Sequence, residues 1–575
     1  MAWAQADLII TGGRVYAADL SGRQAEAVAI KGDRVLALGT RQEVAEFRGP
    51  ATEVVELQEQ TVLPGLIDAH CHVIGLGLAR AAIDLNYPRA RSVADICRLV
   101  EERAHSQAPG TWVRGRGYDH LRLQERRHPT RWDLDPVSGD HPVLLVRSCG
   151  HMAVANSEAL RRAGVTKETP DPPGGLIERR EGEPTGVLKE AAMDLLDGVA
   201  VHTREEQEAA LRLAAQEYLR LGVTAAQDMS GADAAGPAVL QDLVAGGRLG
   251  WRVCFSLIGL PPSGGRAGAG NRVLEAGIHT GLGDHWIRLG PCKALLDGSD
   301  DGATAAMYRP YRDGSGTGIS YWQDEELREW ATAAAAHGWQ VALHAIGDRA
   351  IDQAISALTA ATAAATSTAT PDTAVTAGAG AAAGAGAAAG AAGEGRTAGV
   401  KGRAWRHRIE HCLYPTPEAV ATITSRRFVP VVQPIFLSMM DEGYLDLLDP
   451  ETLCLGFPVR TFLRAGLPVA AGSDAPVADP NPLAGMAEAI DRATAGGIPF
   501  RPEEAVSLEE AIAMYTRHAA WAAHWEDALG SLEPGKLADL VVLTEDIFSL
   551  PPHELRQVRV YLTVVGGRIV YSSSP

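Results

Sequence analysis

The chain lacks a continuous apolar run long enough to cross a membrane. About 18 such residues are needed, and the alanine-rich tract at 359–399 is interrupted by Gly, Thr and Pro. The first residues, MAWAQADLIITGGRVYA, have neither the basic start nor the apolar centre of a secretory leader. We therefore expect a cytoplasmic protein with no membrane partner.

Basic side chains are in the minority. The 575 residues include 53 Lys and Arg against 71 Asp and Glu, which gives a formal net charge of −18. This sign disfavours nucleic acid as a partner and leaves small molecules as ligands. The seven cysteines are scattered without a CxxC pair, so free thiols in a reducing compartment fit better than a disulfide framework. The sequence leaves the oligomeric state open and is compatible with a homo-oligomer.

What the chain does contain is a series of apolar runs typical of buried strands. Helical patterns such as DEELREWATAAAAHG follow several of them, and eight β/α units is the number found in a closed (β/α)8, TIM-like barrel. An open doubly wound sheet is the alternative. Metal-binding residue types at the ends of the runs favour the barrel, because barrel active sites lie at the carboxyl ends of the strands. The eight runs are TVLPGLIDAH, GVTAAQDM, WRVCFSLIGL, WIRLGPCKALLDG, WQVALHAIGD, WRHRIEHC, RFVPVVQP and LPVAAGSDAP.

Other regions surround this α/β barrel, which we assign to residues 63–529. Residues 1–62 and 530–575 are rich in short β-runs, and GGRVYA near the start is matched by GGRIVY near the end. We predict that both ends form one composite β-sandwich domain, with two unrelated hairpins as the alternative. An insertion at about 73–220 is predicted to roof the site. The Ala/Gly-rich tract 359–399 has too little apolar bulk for a core and is predicted to be a disordered surface insertion.

Histidine, lysine and aspartate residues recur at the ends of the predicted strands. His70 and His72, two positions apart on a strand, point to the same face, and imidazole is a good ligand for zinc and similar ions. A lone HxH pair is weak evidence, but the ordered set on five strands predicts a metal centre. The remaining members of the set are Lys293, His344, His411 and Asp474.

Lys293 has two interpretations. As a buried cation it would form a salt bridge, for example to Asp297. Close to a metal, its pKa would fall and the neutral amine could add carbon dioxide to become a carbamate. A carboxylated Lys293 predicts a bridged pair of ions, whereas an unmodified Lys293 predicts one.

The wording around these residues resembles the amidohydrolase superfamily, in the family 3 branch that includes N-substituted formamide deformylases. The resemblance rests on LPGLIDAHCH, KALLDGS, LHAIGD, RIEH and GSDAP, and on the longer phrases SCGHMAVANSEALRRAGVT and GSLEPGKLADLVVL. It implies a barrel with a composite β-domain, and one or two divalent ions, zinc first among them, bound by the six residues above. Asp300 and Asp301 depart from the branch, which has Leu and Gly there, and could alter substrate preference.

The resemblance also implies hydrolysis of a non-peptide carbon–nitrogen bond in a small amide or N-substituted formamide. Asp474 would act as the general base and then as the acid for the leaving nitrogen. Alternatives are a lactone or ester hydrolase or a deaminase that uses the same site, and a non-catalytic metal-binding protein. His151 could contact substrate from the roof or be structural. Tyr118 and Trp322 could form aromatic walls, although such rings more often lie in a core.

Overall fold

The computed structural model of the chain describes residues 5–148, 150, 152–172, 175–190, 192–230, 235–247, 249–261, 269–367 and 406–573. Within these ranges the strands are, in chain order, β1 Leu8–Tyr16, β2 Gln24–Lys31, β3 Arg34–Gly39, β4 Glu53–Glu56, β5 Thr61–Pro64, β6 Leu66–Cys71, β7 Ile83–Asp84, β8 Val113–Tyr118, β9 Val143–Arg147, β10 Met152–Ala155, β11 Gly175–Arg180, β12 Glu183–Glu190, β13 Val223–Asp228, β14 Arg252–Ile258, β15 Ile287–Leu295, β16 Val341–Ala345, β17 Arg408–His411, β18 Val429–Val432, β19 Ala470–Ala471, β20 Leu540–Leu543, β21 Val560–Val565 and β22 Arg568–Ser572.

The helices lie mostly between the strands. In the described ranges, none of them combines the length and the apolar character that a membrane crossing requires. They are α1 Arg41–Ala45, α2 Val73–Ala81, α3 Val93–Ser106, α4 Arg131–Ser138, α5 Ser157–Ala163, α6 Arg204–Arg220, α7 Ala235–Ala245, α8 Ala269–Val273, α9 Asp324–Ala336, α10 Asp348–Ser367, α11 Pro417–Arg426, α12 Glu442–Leu447, α13 Pro450–Leu453, α14 Val459–Arg464, α15 Pro482–Asp491, α16 Leu508–Met514 and α17 Arg517–Ala522. Short 3-10 turns lie at Met193–Leu196, Leu274–Ala276, Pro434–Met439, Pro502–Glu504, Ile547–Ser549 and Pro552–Gln557.

Eight strands form a parallel sheet that curves into a nearly closed barrel. Their order is β6, β13, β14, β15, β16, β17, β18 and β19, and each of the eight predicted runs supplies one of them. The last strand returns to the first. Two backbone hydrogen bonds join the end of β6 to the loop after β19. Asp474 N donates to His70 O (2.7 Å) and His72 N donates to Ala475 O (2.8 Å). The prediction of an α/β barrel is therefore confirmed, and the loop after β19 meets the end of β6.

Helix α10 continues farther than the sequence analysis indicated. It extends to Ser367, so residues 359–367 are helical and that part of the predicted disordered insertion was wrong. Alanine favours helix, and four alanines spaced three or four residues apart are buried against the main core, which stabilises the helix along one face. These are Ala350, Ala354, Ala357 and Ala361. The rest of the tract at 359–399 lies outside the described residues.

Strands from both ends of the chain share one sheet. Its order is β22, β21, β20, β5, β1, β2 and β3, with β4 beside β1. Strand β5 pairs parallel with β1 and antiparallel with β20. Apolar residues from both ends, such as Ile10 and Val542, pack into one separate core. The N- and C-terminal segments are thus joined by hydrogen bonds, and the composite β-sandwich domain as a unit stays a prediction.

The stretch between β6 and β13 has a sheet and a core of its own. The sheet order is β11, β12, β10, β9, β8 and β7, of which β7, β8 and β9 run parallel. Helices α3 and α4 connect the parallel strands, and residues such as Leu99, Tyr118 and Leu145 form the core. The carboxyl ends of β8 and β9 therefore lie at one edge of this sheet. We call the stretch the roof, and its placement over the barrel stays a prediction.

Candidate metal centre

Three of the predicted ligands converge at the carboxyl edge of the barrel. His70, His411 and Asp474 are buried, and they have potential ligand atoms that all lie within 4.8 Å of one another. His72 Nε2 lies 2.9 Å from Asp474 Oδ1. Lys293 Nζ lies 3.2 Å from His70 Nε2. Five of the six predicted residues are thus in mutual contact or close proximity.

His344, on β16, is the sixth member and lies next to the group of three. Its ring centroid is 4.4 Å from that of His411, while its Nε2 donates to the carbonyl oxygen of Gly298 at 3.1 Å. Burial and the nearby Lys293 lower the pKa of His344 to about 3, which keeps the ring neutral. Because Nε2 carries the hydrogen, the lone pair is on Nδ1. His344 therefore offers Nδ1 as its ligand atom.

Glu410 orients His70, and the sequence analysis missed it. His70 Nδ1 lies 2.6 Å from Glu410 Oε2, and both side chains are fully buried. A carboxylate only accepts, so Nδ1 carries the hydrogen and the lone pair is on Nε2, the arrangement of a carboxylate–histidine–metal triad. Arg408 binds both oxygens of Glu410. Burial opposes ionisation, but Arg408 and His70 hold the pKa of Glu410 well below its usual range.

His411 has an equivalent partner. Its Nδ1 lies 2.8 Å from Gln433 Oε1, so the hydrogen is on Nδ1 and Nε2 is available as a ligand. His411 and Asp474 have φ values of 67° and 59°, in the left-handed region that residues other than glycine seldom adopt. The turn at His411 interrupts the alternation of the strand. As a result Glu410 and His411, adjacent in sequence, both lie against His70.

Asp68 ties β6 to the loop that bears Asp474. Its Oδ1 accepts from the backbone N–H groups of Ser473 (3.0 Å) and His70 (3.2 Å). Its Oδ2 accepts from Ser473 Oγ (2.5 Å) and from the hydroxyl of Tyr218 (3.0 Å). The sequence places Asp68 on the same strand face as His70, but four donors from three elements could not be foreseen. This carboxylate holds the two halves of the centre together.

The donor set fits a divalent cation. Asp474 Oδ1 is a buried acceptor that receives no hydrogen bond from the described residues, since its 2.9 Å contact with His72 lacks hydrogen-bond geometry. The hydrogen bonds at Nδ1 leave the lone pairs of His70 and His411 on Nε2. Buried acceptors that converge, with only the Lys293 amine beside them, are costly unless a cation satisfies them, and imidazole with carboxylate is a donor set that zinc accepts.

Lys293 is not paired with Asp297. Asp297 accepts hydrogen bonds from the backbone N–H groups of Ala306, Ile346 and Gly347 at 2.9 to 3.1 Å, and burial raises its pKa to about 7. The described contacts include no ion pair between the two side chains, so the suggested salt bridge from Lys293 to Asp297 was wrong. Burial lowers the pKa of Lys293, which favours a neutral amine beside the three-residue group.

Asp300 and Asp301, the two acidic residues that depart from the family branch, differ in exposure. Asp301 is exposed, whereas Asp300 is buried. Asp300 Oδ2 accepts from the hydroxyl of Tyr414 at 2.8 Å and from that of Tyr444. Burial and Asp301 raise the pKa of Asp300 to about 6. Asp300 is thus a hydrogen-bonded link between loops, and it does not present a bare charge to solvent.

Two of the three predicted substrate contacts, Tyr118 and Trp322, are buried in cores. Tyr118 is buried in the core of the roof, with its hydroxyl 3.0 Å from His128 Nδ1. Trp322 is 2% exposed and packs in the main core with its ring centroid 5.5 Å from that of Trp330. Both rings thus have the core placement that the sequence favoured over aromatic walls, because a large ring gains free energy from burial. His151 lies outside the described residues.

An eight-stranded barrel with imidazole and carboxylate donors at its carboxyl edge is the architecture of a metal-centred barrel protein. The sequence matches the model of the Amidohydrolase family over residues 53–381 and 363–571, and the chain belongs to this family. The resemblance described from the motifs is therefore confirmed.

Similar proteins include two that match along almost their whole length. The chain is 31% identical to Protein LONG AFTER FAR-RED 3 of Arabidopsis thaliana, over 98% of this chain and 92% of that protein. It is 30% identical to N-substituted formamide deformylase of Arthrobacter pascens, over 98% of each. An uncharacterized metal-dependent hydrolase of Pyrococcus horikoshii shares the fold, with a TM-score of 0.75, 22% identity, and coverage of 95% and 99%.

Proposed function

We propose that this chain hydrolyses a non-peptide carbon–nitrogen bond, of the amide or N-substituted formamide type, at a divalent metal centre. The observation that carries the proposal is the buried group of His70, His411 and Asp474, flanked by His72, Lys293 and His344. Full-length similarity to an N-substituted formamide deformylase supports the substrate class.

The residues that would hold the metal are the three of the group with His72 and His344, and zinc is the ion we propose. When bound, such an ion polarises a substrate carbonyl and lowers the pKa of a water molecule toward neutrality. The protein's own contribution is orientation. Glu410 and Gln433 fix the ring nitrogens of His70 and His411, and Asp68 fixes the loop that carries Asp474.

Asp474 is the proposed general base and acid. The contacts with His70 and His72 hold its pKa well below the usual range although burial opposes ionisation, so the side chain is an ionised acceptor at neutral pH. It takes a proton from the attacking water, and the carbonyl carbon becomes tetrahedral. When the carbon–nitrogen bond breaks, Asp474 returns that proton to the nitrogen, which leaves as a neutral amine.

Lys293 sets the proposed number of ions. Its amine lies 3.2 Å from His70 Nε2, and burial lowers its pKa. A neutral amine in this position can add carbon dioxide and release one proton, and the resulting carbamate would supply an anionic ligand that favours a second ion. Mass measurement of the intact, metal-loaded protein tests this, since carboxylation adds one carbon dioxide and a Lys293→Gln variant cannot carry it.

Metal removal tests the central proposal. Chelator-treated protein should lose hydrolysis of an N-substituted formamide and regain it when zinc or manganese is added. The matched control is apo protein given magnesium, an ion that prefers oxygen ligands. Full activity after complete metal removal would contradict a metal-dependent mechanism.

A matched amide and ester separate the proposal from its closest alternative, an ester or lactone hydrolase with the same site. An amine is a poor leaving group without a proton, whereas an alkoxide leaves more readily. Asp474→Asn should lower kcat for the amide about 10²- to 10⁴-fold and lower it less for the ester. Equal losses for both substrates would argue against a special role of Asp474 in expelling the amine.

A further inference from the structure

The carboxyl edge of the roof sheet carries a second cluster of polar side chains, which the proposed hydrolysis does not use. Asp119 and His120 follow β8, Arg147 ends β9, and His128 lies on the loop before α4. Lys189 and Glu178 lie on the adjacent strands β12 and β11. In open sheets with parallel strands, ligands bind at this kind of edge. All of these side chains are partly exposed.

The two histidines of this cluster form one stacked unit. Their ring centroids are 3.9 Å apart and their planes are inclined by 16°. Burial lowers the pKa of His128 to about 4, and burial with Arg147 lowers the pKa of His120. The two rings are thus neutral near pH 7, and each presents one ring nitrogen with hydrogen and one without.

The partner of His120 decides which nitrogen carries the hydrogen. Arg147 Nε donates to His120 Nδ1 at 3.2 Å. A guanidinium is only a donor, so Nδ1 must accept and Nε2 must carry the hydrogen. His128 Nδ1 lies 3.0 Å from the hydroxyl of Tyr118, and when that hydroxyl donates, His128 also has its hydrogen on Nε2. No described hydrogen bond occupies either Nε2 atom.

The ring N–H donors and the neighbouring Arg147 guanidinium suit a negatively charged ligand. Arg147 contacts His120 directly, and Arg147 and Lys189 both act to lower the pKa values of His120 and His128. Asp119 and Glu178 pair with them, one carboxylate to each cation, through contacts of 3.1 Å with Arg147 and 3.5 Å with Lys189. Because Arg147 keeps a hydrogen on His120 Nε2, that nitrogen cannot bind a metal.

From this geometry we propose that the carboxyl edge of the roof sheet is a binding site for an oxyanion, a carboxylate or phosphate group, which His120 and His128 bind through their Nε2–H groups beside Arg147 and Lys189. The oxyanion belongs either to a substrate with an acidic tail or to a free small molecule. In the first case the site extends the proposed function, because it selects the part of the substrate remote from the scissile bond.

Binding can be measured without an assay of hydrolysis, so a failure of the proposed function does not affect the test. Full-length protein labelled at its histidine rings is titrated with inorganic phosphate and, separately, with acetate, at constant ionic strength and neutral pH. The signals of His120 and His128, assigned by substitution, should shift in a saturable way. Bound anion should also raise the pKa of both rings, because a nearby negative charge stabilises imidazolium.

His120→Phe preserves a flat ring for stacking and removes the donor, and it should weaken phosphate binding about tenfold. His105→Phe is the matched control, since His105 is an exposed histidine of the roof on α3, and it should bind phosphate like the unsubstituted protein. Absence of a saturable shift at either ring, or saturable binding of zinc at His120 in place of phosphate, would overturn the proposal.

Two matched formamides then identify the source of the oxyanion, one with a terminal carboxylate and one with the corresponding methyl ester. If the site takes the substrate's own tail, His120→Phe raises KM for the acid alone and leaves kcat nearly unchanged. If it takes a free molecule, added phosphate changes the kinetics of both formamides in the unsubstituted protein, and His120→Phe abolishes that effect.

Discussion

The barrel and the roof each carry histidines at the carboxyl ends of parallel strands, and their rings are bonded in opposite ways. In the barrel, Nδ1 of His70 faces the carboxylate of Glu410, and Nε2 is left with a lone pair. In the roof, Nδ1 of His120 faces the guanidinium of Arg147, and Nε2 is left with a hydrogen. The same residue type at the same kind of sheet edge therefore suits a cation in one place and an anion in the other.

His407 shows a third outcome of the same bonding. It precedes β17, and its Nδ1 accepts the backbone N–H of Val341 at 3.0 Å. It has an acceptor role at Nδ1, like His120, but it is fully buried. Burial lowers the pKa of His407 to about 3. A histidine that is bonded in this way and buried contributes to the fold. It lowers the stability of the folded state at acidic pH, because the folded protein resists its protonation.

The largest predicted effect comes from weakening the hydrogen bond between Glu410 and His70 in the barrel. Glu410→Gln replaces the carboxylate that binds His70 with a weaker acceptor and leaves Arg408 without its charge partner. Partners that orient metal-binding histidines typically contribute 10- to 100-fold in metal affinity, so zinc affinity should fall by about that factor. Competition with a chelator, read by metal analysis, measures it.

Glu488→Gln is the control for this substitution. Glu488 is a buried carboxylate on α15 that pairs with Arg556 at 3.2 Å, so the substitution also removes the charge of a buried, ion-paired carboxylate. It should lower the melting temperature without changing zinc affinity. Equal zinc affinity in Glu410→Gln and the unsubstituted protein would show that the carboxylate does not orient His70.

The next effect concerns stability on acidification. The folded pKa of His407 is about 3, below the usual 6.5, so the unfolded chain binds the proton first. The resulting stability loss begins as pH falls through about 6.5 and grows until about pH 3. At pH 5 this single group should cost about 2 kcal/mol of unfolding free energy. His407→Gln should flatten the pH dependence by that amount in urea unfolding.

The quantity to compare between His407→Gln and the unsubstituted protein is the slope of unfolding free energy against pH. The absolute stability is less informative, since the substitution also removes a hydrogen bond at every pH. His105→Gln, at an exposed position on α3, should leave the slope unchanged. A His407→Gln protein as acid-sensitive as the unsubstituted one would mean that His407 is charged in the fold.

The smallest predicted effect is the corresponding change in the roof. Arg147→Gln replaces a pure donor with a group that can also accept, so His120 can move its hydrogen to Nδ1. The nitrogen-15 signal of Nε2 should shift toward that of an unprotonated ring nitrogen, and phosphate binding should weaken about tenfold. Zinc affinity at the barrel should not change. A shift in zinc affinity would mean that the two regions are coupled.

Much of the fold could be predicted because burial leaves a strong signal. All eight apolar runs became barrel strands in the predicted order, even though β19 has only two residues. The boundary of the Ala-rich tract was harder. Its first residues look like those beyond them in composition, and only their contact with the main core shows that α10 continues to Ser367.

The candidate metal ligands were predicted from the sequence, but the side chains that orient them were not. His70, His411 and Asp474 lie at or just beyond the ends of apolar runs, which is visible in the sequence. Glu410 was not visible, because strict alternation would place it on the face opposite His411, and the left-handed turn at His411 is a property of the folded backbone. The signal that could have revealed Glu410 is its charge, together with that of Arg408, inside a run predicted to be buried.

Strand β5 constrains the order in which the molecule can be built. It lies between β1 and β20, strands near opposite ends of the sequence, and only Gly65 separates it from the strand that bears His70. During synthesis, one edge of β5 cannot form its native pairing until β20 has left the ribosome. The sheet edge next to the first strand of the metal centre therefore stays unpaired through most of the translation of the chain.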